Sequence, residues 1–233
     1  MWDGAAGRRT NKSGGYMLTE IKKAAVSGIL ISIGGCVLLA STKAGMMWAG
    51  AVLFSLGLFA ICEYGFNLYT GKVGYIAEHF RDVRYIRLVL LILVVNLLTT
   101  FIVGILVSFC LPDIAESARA SYAAKLDADP KKWVLSSVLC GLLMYLAVDL
   151  WKRGQKIGVF LCVPVFIFSG FDHSIANSFY NGAAIGEYTF TLRNLAFVTV
   201  VVLGNALGGM LLPMLTRKWK KTSDDLFPNS ERR

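Results

Sequence analysis

Residues 157–180 read IGVFLCVPVFIFSGFDHSIANSFY. The first half is apolar without a charge, and the second carries Ser169, Gly170, Asp172, His173, Ser174 and Asn177. A helix needs about 20 apolar residues to cross the hydrocarbon of a bilayer, so this acid–histidine pair falls where an ordinary span would stay apolar. Backbone that leaves the helix at such depth is tolerated only where it is buried in protein or lines a cavity. The stretch predicts a membrane protein with an interrupted helix, and its ionisable residues mark a functional position.

The rest of the chain calls for the same solvent. Of its 233 residues 55% are hydrophobic and 17% charged, with a mean hydropathy of +0.58, which is too apolar for an ordinary soluble domain. Six apolar runs reach spanning length: 21–40, 46 to about 76, 85–111, 133–151, 157 to about 180, and 192–215. They are continuous and rich in Leu, Val and Ile, unlike the short alternating segments of a β-barrel. The fold class expected is therefore an all-α membrane protein of six transmembrane helices. One membrane domain over 20–216 is flanked by polar segments, 1–19 and 217–233, that read as flexible cytoplasmic tails. The first fifteen residues contain no apolar core of the kind a signal peptide needs.

Charge sets the orientation. With both termini cytoplasmic, 17 of the 24 Lys and Arg residues fall on the inside and Lys72 is assigned to neither side, as the positive-inside bias requires. The net charge of +9 flanks apolar segments and forms no basic patch interleaved with aromatics, so nucleic acid is not expected as a partner. The five cysteines lie inside apolar runs without metal-ligand or redox spacing and read as small buried hydrophobes. No metal or cofactor is expected.

The second run is interrupted like the fifth: CEYGFNLYTGKVGY, residues 62–75, holds Glu63, Gly65, Asn67, Thr70, Gly71 and Gly74. The fifth run stands three spans after the second, so the chain reads as three plus three helices. The halves must then enter the membrane from opposite sides, as an inverted repeat. Asn96-Leu-Leu-Thr99 and Asn205-Ala-Leu-Gly208 echo one another in the third and sixth spans, each pairing Asn with a small residue one turn on. Inverted repeats with discontinuous helices put a site near the bilayer midplane.

SGFDHSIAN at 169–177, NLYTGK at 67–72 and Gly204-Asn205-Ala-Leu-Gly208-Gly209 together resemble the motifs of the formate/nitrite transporter family, whose members include formate, nitrite and hydrosulfide channels. The resemblance extends over roughly 20–216. It implies an aquaporin-like fold with broken helices 2 and 5, a pore through each protomer, and a homopentamer in the cell inner (plasma) membrane. It also implies pore roles. His173 matches the central histidine, Thr70 the threonine bonded near it, and Leu68 and Phe166 the two constrictions; Lys125 matches the outer vestibule lysine, with Tyr69, Asn177 and Asn205 as supports. Where many members carry an asparagine on the fourth span this chain has Gly141, which would remove a hydrogen-bond partner from the pore.

Moving a bare anion through hydrocarbon is costly, whereas a protonated weak acid is a small neutral molecule. The expectation is therefore passive or proton-linked transport of small monovalent anions. Lys125 attracts the anion, His173 relays a proton or stays neutral and only hydrogen-bonds, and membrane lipid surrounds the whole. The physiological anion stays open among formate, nitrite, hydrosulfide and short carboxylates; Gly141 hints at hydrosulfide or a broader range. Asp172 and Glu63 read as structural acceptors for backbone N–H groups freed by the breaks. From another class, an intramembrane enzyme using His173 with Asp172 and Ser174 is the alternative. Adjacent residues point different ways, however, and no catalytic signature accompanies them. The chain is expected not to be an enzyme.

Overall fold

The computed structural model describes residues 5–226, with side chains described within 15–216. Every regular element among them is helical: α1 (Ala5–Lys43), α2 (Met47–Glu63), α3 (Tyr69–Lys72) with a 3₁₀ turn at Val73–Ala77, α4 (Val83–Cys110), α5 (Pro112–Asp127), α6 (Pro130–Lys152), α7 (Ile157–Phe168), α8 (Ser174–Ala183) and α9 (Leu192–Leu226). Gly15–Lys43, Val83–Cys110, Pro130–Lys152 and Leu192–Thr216 are each long and apolar enough to cross a membrane, which makes the chain a multi-pass membrane protein. Met47–Glu63 and Ile157–Phe168 are apolar but shorter.

Local chemistry sets the boundaries. Asp82 caps α4 by accepting from the N–H groups of Arg84 and Tyr85, and Asp129 does so for α6 through Lys131 N, with Pro130 in the first turn where no N–H is needed. α1 starts at Ala5 and not near residue 21, so most of the segment expected to be a flexible tail belongs to a helix. α9 likewise continues past 215, because no Gly or Pro stands between Met214 and Leu226 to stop it. Residues 227–233 of the expected C-terminal tail lie outside the described residues.

The connection expected at 112–132 is instead helix α5. Its signal was present: Ala115, Ala118, Tyr122 and Leu126, all buried, recur at helical spacing. A low overall hydropathy hid it from a search for spans.

α1 packs on α2 and α4, and α6 packs on α7 and α9. The short segments cross over: α8 lies against α4, and the 3₁₀ turn lies against α9. The α4–α8 crossing is backbone on backbone. A Cβ at Gly104 would strike Phe179 O, and one at Gly182 would strike Phe101 O, so only glycine permits the approach.

The ends of α2 and α7 are built alike. α2 ends in a turn with Gly65 at φ 65°, and α7 in one with Gly170 at φ 66°, a region L-residues avoid. Phe66 N donates to Ile61 O and Phe171 N to Phe166 O, both at 2.9 Å. Asn96 then receives Tyr69 N at 2.8 Å and donates to Ala24 O and Asn67 O. Asn205 receives Ser174 N at 2.8 Å and donates to Ser137 O and Asp172 O. Each asparagine thus satisfies backbone groups that the gap in the helix would otherwise leave bare in an apolar surround.

Candidate functional site

Leu68 and His173 occupy matching positions, as the residues that cap α3 and α8. His173 is 2% exposed and Thr70 fully buried. The Nε2 of His173 lies 2.8 Å from Thr70 Oγ1, and its Nδ1 receives the Ala176 N–H at 3.1 Å. A backbone N–H can only donate, so Nδ1 is the acceptor and the ring proton sits on Nε2, aimed at Thr70. The imidazole is both a helix cap and a donor. Its face stacks on Phe166, with ring centres 5.8 Å apart, and Phe54 meets Phe166 edge-on at 6.2 Å.

Two cavities flank this cluster. One, of about 190 Å³, is lined by Lys125, Phe166, His173, Asn177 and Phe54, with Met47 at the start of α2. The other, of about 500 Å³, is lined by Leu68, Gly71, Lys72, Tyr75 and Lys152, with Ile61 and Cys62 at the end of α2. They lie at opposite ends of α2. Leu68 lines the Lys152 cavity and Phe166 with His173 the Lys125 cavity, and Thr70, two residues on from Leu68, is bonded to the histidine.

Lys125 reaches from α5 to the break. Its Nζ lies 2.6 Å from Asp172 Oδ1, and the same carboxylate accepts from Ser136 Oγ at 2.5 Å and Asn177 Nδ2 at 3.1 Å. Asp172 was expected to take freed backbone N–H groups; it takes three side chains, and the asparagines and His173 do the backbone work. Glu63 similarly departs from expectation, pairing with Lys156 Nζ at 2.8 Å. Lys125 is consequently half of a partly buried ion pair and not an isolated cation.

Tyr69 is held at both ends, through N to Asn96 and through its hydroxyl to Val202 O at 3.2 Å. Gly141 stands apart from both cavities. A Cβ there would meet the backbone of Asn205, so the glycine serves the contact of α6 with α9, next to the residue that supports the second break. Sequence reasoning missed Asn96 as a cap, Ser136 as a partner of Asp172 and Phe54 as a wall. Asn96 alone carried a signal, as the lone amide in a long apolar run.

The hydrolase-like trio is not assembled. Asp172 and His173 bond to different partners, and the buried Ser174 Oγ has none. Among the described residues no cluster suits a metal, and the five cysteines are free. Cys110, expected to be buried, is exposed.

The family model for formate/nitrite transporters matches residues 5–219. Among solved structures, a pentameric formate channel with formate bound superposes at TM-score 0.72 and 21% identity, covering 89% of this chain and 98% of that one. An FNT family ion channel superposes at TM-score 0.73 and 19% identity, covering 91% and 92%. At those identities the likeness is one of fold. The uncharacterized transporter YrhG of Bacillus subtilis (strain 168) is 28% identical over 176 residues, or 69% of this chain, and the chain spans 66% of that protein's length. A family match over nearly the whole length, joined to the shared fold, makes this a membrane transport protein and not an enzyme: the chain belongs to the formate/nitrite transporter family.

Proposed function

We propose that the protein is a channel for small monovalent anions of weak acids, with one passage per protomer joining the Lys125 cavity to the Lys152 cavity past Phe166, His173, Thr70 and Leu68. The observation that carries this reading is the 2.8 Å contact of His173 with Thr70 between two cavities, at the meeting of two interrupted helices.

α2 rises about 25 Å and α7 about 18 Å at 1.5 Å per residue, each short of a bilayer core of about 30 Å. α2 with α3, and α7 with α8, therefore each count as one broken crossing, for six crossings in two inverted groups of three. Both termini lie in the cytoplasm of a cell whose inner (plasma) membrane holds the protein, which puts the Lys152 cavity inside and the Lys125 cavity outside. The pentameric formate channel of the same fold supports a homopentamer.

Lys125 spends one ammonium hydrogen on Asp172; the remaining donors favour an anion in its cavity. His173 acts as a neutral donor. A doubly protonated ring would set an N–H of its own against the Ala176 N–H, at a helix N-terminus that already repels cations. The proton that neutralises the anion comes from bulk water, where the hydroxide stays behind; the acid crosses the apolar ring of Leu68 and Phe166 uncharged and returns the proton to water on the far side. Gly141, packed on Asn205, gives no support to a hydrosulfide preference. The paired polar groups suit small carboxylates and nitrite.

Flux of formate, nitrite, hydrosulfide, acetate and lactate into liposomes holding the purified protein, at two pH values, tests the reading. Saturable flux that rises as pH falls supports it, and flux no greater than in empty liposomes for every anion rejects it.

A further inference from the structure

The Lys152 cavity holds two lysines that form no ion pair among the described residues; Asp149, the acid one turn before Lys152, is taken by Arg153 at 2.7 Å. Among the described residues neither Lys72 nor Lys152 pairs with a carboxylate, although both line this space. Lys152 Nζ stands 3.3 Å from the centre of the Tyr75 ring. An aromatic face positions an ammonium by taking one N–H against the ring, while its charge and its other N–H donors stay available. Glu20, the acid near Lys72, is occupied by Asn67 at 2.7 Å and Lys23 at 3.6 Å. Glu78 brings one negative charge to the exposed rim, beside His79.

At about 500 Å³, the cavity is several times larger than a three- or four-atom anion and can take a partly hydrated tetrahedral one. A divalent oxyanion that meets both ammonium groups gains two charge-assisted contacts where a monovalent one gains a single contact.

We infer that the Lys152 cavity is a binding site for a multivalent oxyanion of the phosphate class, held by Lys72 and Lys152 with Tyr75 as the residue that positions Lys152. Occupancy plugs the passage from that side; this blocking effect rests on the channel reading, whereas the binding does not. A free phosphate and a lipid phosphate headgroup offer the same chemistry.

Trp151 lines the cavity and reports on it. Iodide drawn to the lysines quenches Trp151 in the purified protein, and inorganic phosphate displaces it. At constant ionic strength phosphate is expected to act at about a tenfold lower concentration than chloride, and Lys72→Met and Lys152→Met each to raise that concentration about tenfold. Tyr75→Phe, which keeps the ring, leaves it unchanged; Tyr75→Leu raises it. Trp151→Phe removes the signal, and unchanged acrylamide quenching certifies the fold of each variant. Phosphatidic acid added to phosphatidylcholine nanodiscs competes with inorganic phosphate if the headgroup is the natural occupant and has no effect if the free ion is. Equal potency of chloride and phosphate, or lysine variants that behave as wild type, overturns the site. Wild-type liposomes assayed for formate flux with and without phosphate separate the two readings. Phosphate displacement without any flux removes the channel and keeps the site, whereas flux without displacement removes the site alone.

Discussion

Asn96 and Asn205 carry out the same task in the two halves of the chain: each carboxamide oxygen accepts the first backbone N–H of a short helix, α3 or α8, and each amide donates to two carbonyls. Both side chains are fully buried. The breaks persist in an apolar surround because these two residues replace the bonds the helix gives up.

Asn205→Ala leaves Ser174 N and Asp172 O without partners, at about 1–3 kcal/mol for each buried unsatisfied group. A loss of roughly 3 kcal/mol or more is expected in denaturant titration. Asn205→Asp, which keeps the acceptor but not the donors, falls between the alanine variant and wild type.

Thr70→Val removes the acceptor of the His173 proton and strands a buried donor, whereas Thr70→Ser keeps the hydroxyl. The valine variant is expected to lose about tenfold in flux, equivalent to about 1.4 kcal/mol, and the serine variant to stay near wild type. Equal flux in both would remove the Thr70–His173 contact from the transport path.

The Lys125–Asp172 pair gives a sharper contrast. Asp172→Asn leaves a cation unpaired in a partly buried place; such losses run to about 3–5 kcal/mol when burial is complete, and the 24% exposure of the Lys125 side chain puts this one at the lower end. Lys125→Met combined with Asp172→Asn is expected to recover part of that stability, which a double-mutant cycle on unfolding midpoints measures.

Gly141→Asn changes the α6–α9 contact and not a cavity wall. Overpacking of this kind costs about 1–3 kcal/mol, so a lowered unfolding temperature with unchanged anion preference is expected. Gly141→Ala gives a smaller shift in the same direction.

At the edge of the molecule, Lys43 binds Asp113 at 2.8 Å, and the ammonium holds the Asp113 carboxyl below its ordinary 3.8. A lowered carboxyl pKa contributes stability above the unfolded value and loses it as pH falls through the folded one. Melting temperatures of wild type and Asp113→Asn should differ slightly at neutral pH and converge once the pH drops well beneath 3.8. Salt shrinks the difference, because the pair is exposed.

The membrane class and the ends of α2 and α7 were legible because apolar run length and turn residues are local signals: Gly65 and Gly170 follow those two helices. The pairing of His173 with Thr70 came from motif resemblance, since no periodicity joins residues so far apart in sequence. Partners of Asp172 were misjudged for the same reason. Ser136 and Lys125 sit on helices whose approach depends on how α5 folds back, and α5 itself fell in the connection between two expected spans. Gly141 was misjudged because a missing side chain names no direction; only the neighbouring backbone of Asn205 reveals what the space is for.

Leu68 and His173 stand at equivalent places, each just before the first residue of a short helix. Glycine turn, aromatic, amide- or acid-bearing residue and asparagine brace recur around both, and one holds a hydrocarbon side chain where the other holds a ring with a proton to share. On the proposed passage the barrier would therefore be lopsided, oily towards one face and wettable towards the other, although the local sequence and bonding around the two residues are nearly the same. What such a molecule meets first depends on the side from which it arrives, and a reciprocal swap of these two residues would turn that order around while leaving the braces untouched.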